Sequence, residues 1–387
     1  MTVNTWSVPE TELLQEIERR LDDGGDTDVL ATIVRVEGNA YRRPGAKSLL
    51  GTDGSGVGSI TPGCLEDEIR AASDSVRESG RPELVTYDLM EDESDGWGLG
   101  VGCNGIIDVL LEPLSVTYRP VVDAVTGGHS IAVCTVLDSD TAHTLSPGDR
   151  AYYHPEEDRL STPADEPTSA WPADLLAAPA GEFAARENAS ALEIEHDGTT
   201  LSVFVDGLAP PAELVVFGTG HDVAPVTEFG AKTGFRVTVV GFRGAVDLED
   251  RFPDADRTVT TSPGRLGDDV DLGPGTYAVV MTHNFLDDRL AVDALLDAGV
   301  PYIGLMGPHD RFERMLEAFD ADGRSVDRDA LEAVYTPVGL DLGDGSPYGI
   351  AHSIVAELLA VANGRQPRHL RERGDHIHER VDHDPIG

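Results

Sequence analysis

"PPAELVVFGTGHDVAPVTEFGAKTGFRVTVVGFR", residues 210 to 243, decides the fold of the second half of this chain. An apolar strand at 213 to 217 meets Gly218-Thr219-Gly220, and a helical pattern follows. A second strand comes at 236 to 240. Residues 276 to 319, "TYAVVMTHNFLDDRLAVDALLDAGVPYIGLMGPHDRFERMLEAF", repeat the strand-helix-strand-helix alternation. This spacing predicts a parallel sheet wound with helices. "SPYGIAHSIVAELLAVANG", 346 to 364, reads as a closing amphipathic helix, begun by Pro347 and ended by Gly364.

Upstream, Leu13, Leu14, Ile17 and Leu21 have helical spacing within residues 10 to 23. "VLATIVRVEG" (29 to 38) is a strand, and "KSLLGTDGSGVGSI" (47 to 60) is a strand, a turn and a strand start. A helix opens at "PGCLEDEIRAASDSVRESG", and "PELVTYDL" and "GIIDVLLEPL" add two strands. The expected first domain is a compact α+β unit over 8 to 115. Residues 116 to 210 read as its appendage: a segment near 120, the strand "SIAVCTVLD", and a hairpin turning at Asp197-Gly198. Between them, 145 to 190 is rich in Pro, Ala and acids and is expected to be a loose, solvated loop without chemistry. A Rossmann-like domain over 211 to 365 and a flexible His-rich tail over 366 to 387 complete the division. The fold class is therefore α/β: an N-terminal α+β domain plus a C-terminal Rossmann-like, doubly wound parallel sheet.

Seventy acids against 29 bases give a net charge of −41, and Lys47 and Lys232 are the only lysines. Such a chain repels nucleic acid, whose phosphates are held by Lys and Arg, and anionic membranes. The acids are spread along the chain, which points to a salt-rich cytoplasm where screening weakens self-repulsion. No apolar run reaches membrane-spanning length, and the N-terminus lacks the basic start and apolar core of a secretory signal. Three cysteines are too few for a disulfide framework. The expected location is cytoplasmic, with reduced thiols.

Several constellations could carry chemistry. In "NAYRRPGAK", 39 to 47, Arg42, Arg43 and Lys47 concentrate positive charge in a turn and suit a phosphate; the alternative is a solvated turn paired with nearby acids. Cys64 follows Gly63 and precedes Glu66 at a helix start. The helix dipole favours a thiolate there, and the acids at 66 to 68 oppose it; on these local features alone the favoured reading is a small buried packing residue. Cys103 lies in "GWGLGVGCNG", whose glycines permit close approach of a ligand. Neither cysteine belongs to a C-x-x-C pair, which disfavours structural zinc. Gly218 and Gly220, followed by His221, resemble a dinucleotide fingerprint without its third glycine. Gly241 stands where a ribose-binding acid is wanted, so NAD(P) is disfavoured, while Arg243 could serve a 2′-phosphate or another anion. Thr282 and His283 fall at the C-terminal end of a predicted parallel strand, the edge where such sheets bind ligands.

Together these stretches resemble the XdhC/CoxI family, the accessory factors of xanthine dehydrogenase and other molybdenum hydroxylases. "ATIVRVEGNAYRRPGAKSLL", "GSITPGCLEDEI" and "GLGVGCNG" are similar to its N-terminal domain. "LVVFGTGHDVAPV", "THNFLDDRLAVDALLDAGVPYIGLMG" and "PVGLDLGDGSPYGIAHSIVAELLAV" are similar to its Rossmann domain. Thr61-Pro62, Asn104, Gly241 and Pro308-His309 depart from the usual residues. The resemblance implies a chaperone, not a turnover enzyme, that binds molybdenum cofactor as cargo. It would favour sulfuration by a cysteine desulfurase and help insertion into a hydroxylase such as xanthine dehydrogenase. It makes Cys64 and Cys103 candidate soft ligands of the metal, with Arg42, Arg43 and Lys47 for the phosphate. A homodimer remains open. The rivals are an NADP-dependent oxidoreductase built on Gly218 to Arg243 and a thiol redox sensor using Cys64 and Cys103.

Overall fold

The computed structural model describes residues 6–24, 27–38, 40–88, 105–140, 144–163, 167–196, 198–242, 244 and 246–372. Two compact units divide between Pro210 and Pro211. The first contains α1 (Glu10–Asp22), β1 (Val29–Gly38), β2 (Lys47–Leu50), β3 (Gly56–Val57), α2 (Glu66–Ser79), β4 (Glu83–Asp88) and β5 (Gly105–Pro113). It continues with α3 (Arg119–Thr126), β6 (Ile131–Ser139), β7 (Arg150–His154), β8 (Arg159–Ser161), α4 (Ala173–Arg186), β9 (Ala189–His196) and β10 (Thr199–Leu208).

Strand order β3-β2-β1-β5-β4 makes one five-stranded sheet and β8-β7-β6-β10-β9 another. Period-two alternation gives each strand two faces. Val29, Ala31, Ile33 and Leu50 pack with Ile60, Leu65, Ile69 and Val76 under α2. Leu30 and Leu49, on the opposite face, join Val133 and Tyr152 of the second sheet, as Val34 and Leu110 join Leu137 and Phe204. The second sheet's far face packs on Leu176, Ala180, Phe183 and Ala184 of α4. The unit is thus layered helix, sheet, sheet, helix.

The expected loose loop at 145 to 190 is corrected here, because β7, β8 and α4 lie within it. The face of α4 toward the sheet is partly alanine, and Pro179 sits inside the helix. Small side chains give weak hydrophobic contrast, and proline reads as a breaker. Their purpose is close approach: a Cβ on Gly207 of β10 would fall 2.1 Å from the Phe183 carbonyl carbon.

The second unit contains β11 (Glu213–Phe217), α5 (Val223–Lys232), β12 (Arg236–Gly241), α6 (Leu248–Arg251), β13 (Arg257–Thr260), α7 (Leu266–Asp269) and β14 (Thr276–Val280). Then come α8 (Phe285–Ala298), β15 (Tyr302–Leu305), α9 (His309–Ala321), α10 (Arg328–Leu331), β16 (Val334–Tyr335) and α11 (Pro347–Ala362). Its sheet has the order β13-β12-β11-β14-β15-β16 and every pairing is parallel. One face packs with α8 and α9 through Ala291, Leu295, Phe312 and Met315. The other packs with α5 and α11 through Val226, Ile354 and Leu358. This is the doubly wound sheet expected from residues 210 to 243. Its direction of winding reverses between β11 and β14, which opens a crevice at their C-terminal ends. No helix among the described residues is long and apolar enough to cross a membrane.

Candidate functional site

In the first unit, register brings separate stretches to one end of a sheet. Gly38 at the end of β1 pairs with Gly105 at the start of β5. Val57 of β3 pairs with Leu49 of β2, and Ser48 Oγ donates to the Gly58 carbonyl at 3.1 Å. The basic turn before β2 and the Gly58–Leu65 loop after β3 therefore leave by the end where β5 begins. Buried Ile60 and Leu65 anchor that loop in the core under α2. Between these anchors, Pro62, Gly63 and Cys64 are exposed. Gly63 has φ +120, a conformation that glycine adopts without strain. The Thr61 hydroxyl lies 3.5 Å from Glu66 Oε1 and from the Gly63 N–H. The loop is pinned at both ends and presents a thiol just before the first turn of α2. Cys103 lies outside the described residues, as do Arg243 and the His-rich tail from residue 373. Among the described residues no cluster of three or more His, Cys, Asp or Glu could hold a metal ion.

The basic turn divides. Arg43 is exposed, and Arg42 Nη2 pairs with Glu10 Oε1 at 2.6 Å near the surface. Lys47 corrects the expectation of an exposed phosphate ligand. As the first residue of β2 it shares the inward face with Leu49, is 5 % exposed, and reaches Asp206 Oδ2 at 2.6 Å. Burial works against its charge, but the Asp206 carboxylate outweighs this and holds the Lys47 ammonium above its ordinary range. Beside it, Arg150 Nη2 donates to Glu112 Oε2 at 2.5 Å. Burial pushes the neighbouring Tyr118 phenol up to about 12. Sequence reading missed this cluster, although Asp206 inside the apolar "SVFVDG" was a visible signal.

In the second unit, Gly218 and the 281–284 turn meet at the crevice between β11 and β14. A Cβ on Gly218 would stand 2.7 Å from the Met281 carbonyl oxygen, so the turn tolerates only glycine. Arg251 Nη1 donates to the Thr219 carbonyl at 2.7 Å. His221 is exposed. The Thr282 hydroxyl donates to Asp288 Oδ1 at 2.5 Å and accepts from the Asn284 N–H at 3.1 Å. Buried Asp288 also accepts from Arg311, whose side chain passes over Gly307. Thr282 is thus committed to shaping its turn. His283, at φ +60, sets Nε2 2.7 Å from Asp222 Oδ2. The sequence singles out His283 but not Asp222, which comes from the turn after β11, the strand beside β14 in the sheet.

At the end of β12, a Cβ on Gly241 would fall 2.9 Å from the Thr219 methyl and 3.2 Å from Leu248. The place of the ribose acid is filled by apolar side chains.

Comparisons with known proteins agree along the chain. Residues 214–358 match the XdhC Rossmann domain, and residues 22–88 match the XdhC and CoxI family. A Bacillus subtilis (strain 168) protein, named as a probable subunit of xanthine dehydrogenase, is 30 % identical over 335 residues, covering 86 % of this chain and 92 % of that protein. An uncharacterized Escherichia coli (strain K12) protein, YqeB, is 27 % identical over 43 % of this chain and 30 % of its own length. A crystal structure described as a xanthine dehydrogenase from Bacillus halodurans superposes with a TM-score of 0.71 at 29 % identity, over 92 % of this chain and 97 % of that one. With two domain families in register and a relative aligned along most of both lengths, the chain belongs to the XdhC/CoxI family.

Proposed function

We propose that this protein is an accessory factor of a molybdenum hydroxylase such as xanthine dehydrogenase. It binds molybdenum cofactor as cargo, favours its sulfuration by a cysteine desulfurase, and assists its insertion into the hydroxylase. The observation that carries this reading is the exposed Cys64, held on a loop anchored by Ile60 and Leu65. A packing cysteine has no reason to face solvent; a soft ligand for a thiolate-preferring metal must. Names of relatives that refer to xanthine dehydrogenase support the client class.

The residues fit the cargo in part. Cys64 suits its metal end, and Arg43 with Arg42 suits its phosphate. Lys47 does not, because its ammonium faces the interior and is paired with Asp206. The NADP-dependent oxidoreductase loses support from the closed position at Gly241.

Anaerobic purification at high salt, followed by molybdenum and pterin analysis, tests the reading. Molybdenum and pterin should appear in near-equal amounts with the protein. A preparation free of both, even after incubation with cofactor released from another molybdenum protein, would remove the proposal.

A further inference from the structure

The turn after β11 carries an acid where a dinucleotide's phosphates would approach. Asp222 stands immediately before α5, and its Oδ1 lies 2.3 Å from the position a Cβ on Gly220 would take. The carboxylate therefore lies against the bare glycine. His283 Cδ2 is 3.9 Å from the same Cβ position, so the imidazole borders the same glycine. His283 holds Oδ2 at 2.7 Å while adopting a left-handed backbone, uncommon for a residue with a Cβ. The turn that imposes this conformation is fixed from behind by Thr282, Asp288 and Arg311.

This arrangement has a chemical preference. A carboxylate repels the pyrophosphate that a helix N-terminus otherwise attracts. It accepts hydrogen bonds and donates none. The Asp222 side chain caps no N–H of α5, and Oδ2 keeps a second lone pair beyond the one facing His283. Two adjacent oxygens match a flat group with two adjacent N–H donors, as they match an arginine fork. An amide N–H beside an exocyclic amine presents that pair, and both pterin and guanine rings carry it. Phe285 and Leu286, exposed at the start of α8, follow two and three residues after His283 and add apolar surface.

We infer that Asp222, clamped by His283, reads the amino-oxo pyrimidine edge of a pterin or guanine ring at the crevice between β11 and β14. This rests on the cargo reading above and specifies which part of a pterin-bearing ligand the second unit grips.

The test is calorimetric titration of the full chain with four probes: pterin, lumazine (in which a carbonyl replaces the exocyclic amine), guanosine and inosine (which lacks that amine). Pterin should bind at least about tenfold more tightly than lumazine, or guanosine than inosine, because the carboxylate loses a charge-assisted donor in each poorer probe. Discrimination for pterin alone assigns the ring of the cofactor; for guanosine alone, a guanine nucleotide. Asp222→Asn should abolish the preference, and His283→Gln should weaken it, with both variants melting as the parent does. Equal binding within each pair, a preference unchanged in Asp222→Asn, or no binding of any probe overturns the inference. A parent that carries molybdenum yet fails to discriminate leaves the cargo reading standing. A parent that discriminates but never carries molybdenum sinks the cargo reading alone.

Discussion

Lys47 Nζ stands 2.6 Å from Asp206 Oδ2, joining β2 of one sheet to β10 of the other across the interior of the first unit. Glu112 of β5 and Arg150 of β7 make the same connection at 2.5 Å. Two opposite pairs buried together keep the interior neutral. Each pair links the two sheets, so losing one partner leaves the other's charge buried and unpaired.

Breaking one pair should therefore cost more than removing it. Lys47→Met strands the Asp206 carboxylate in the interior, at a cost of about 3–5 kcal/mol. Lys47→Met combined with Asp206→Leu should recover most of that, measured by chemical denaturation. Equal losses in the single and double variants would reject the clasp. The pH dependence has a definite sign. Lys47 is held above its ordinary range, so the pair's contribution is complete below the unfolded lysine value of about 10.4. It is lost as pH rises through the higher folded value. On the alkaline side, the stability difference between parent and double variant should therefore persist past about pH 10.4 and shrink only in stronger alkali.

The legible parts of the sequence were those with strong periods. β1, β11 and α11 fall where alternation, apolar runs and Pro347 place them. α4 was not legible, because alanine and a proline muted its pattern. Cys64 was legible as a candidate, but its exposure was not, since only the burial of Ile60 and Leu65 turns the thiol outward. Lys47 reads in the sequence as part of a basic turn with Arg42 and Arg43, but it begins β2, and alternation puts it on the same inward face as Leu49. The Asp222–His283 pair spans 61 residues of sequence and needs the parallel sheet to bring its two turns together.

Gly241→Asp restores the acid that dinucleotide folds use, yet it should not create a nucleotide site. The new side chain meets the methyl of Thr219, a β-branched residue with few χ1 rotamers to move into, and Leu248 behind it. The expected result is a loss of about 1–3 kcal/mol, with neither NADPH binding nor NADPH oxidation. Tight NADPH binding by this variant would revive the oxidoreductase reading.

Arg42→Ala with Arg43→Ala should lower retention of molybdenum cofactor while the fold persists. The Arg42–Glu10 pair is partly exposed, and such pairs contribute about 0–1 kcal/mol. The thermal midpoint should thus change little. Retention must be compared at fixed salt, since ionic strength alone screens these contacts. Unchanged retention would take the phosphate role away from this turn.

Cys64→Ser keeps nearly the same volume and replaces a soft sulfur with a hard oxygen. Because Cys64 is exposed, the variant should hold the parent's stability within about 0.5 kcal/mol. Activation of a client hydroxylase, measured per folded molecule, should nevertheless fall to background, and the client should lack its sulfurated form. Cys134 supplies the internal control. It is buried in β6, and burial pushes its thiol up to about 12. Alkylation of the native protein should reach Cys64 before Cys134, and bound cofactor should slow the reaction at Cys64 alone. Full client activation by Cys64→Ser, with alkylation rates indifferent to cofactor, would leave the exposed thiol without a part in the transfer.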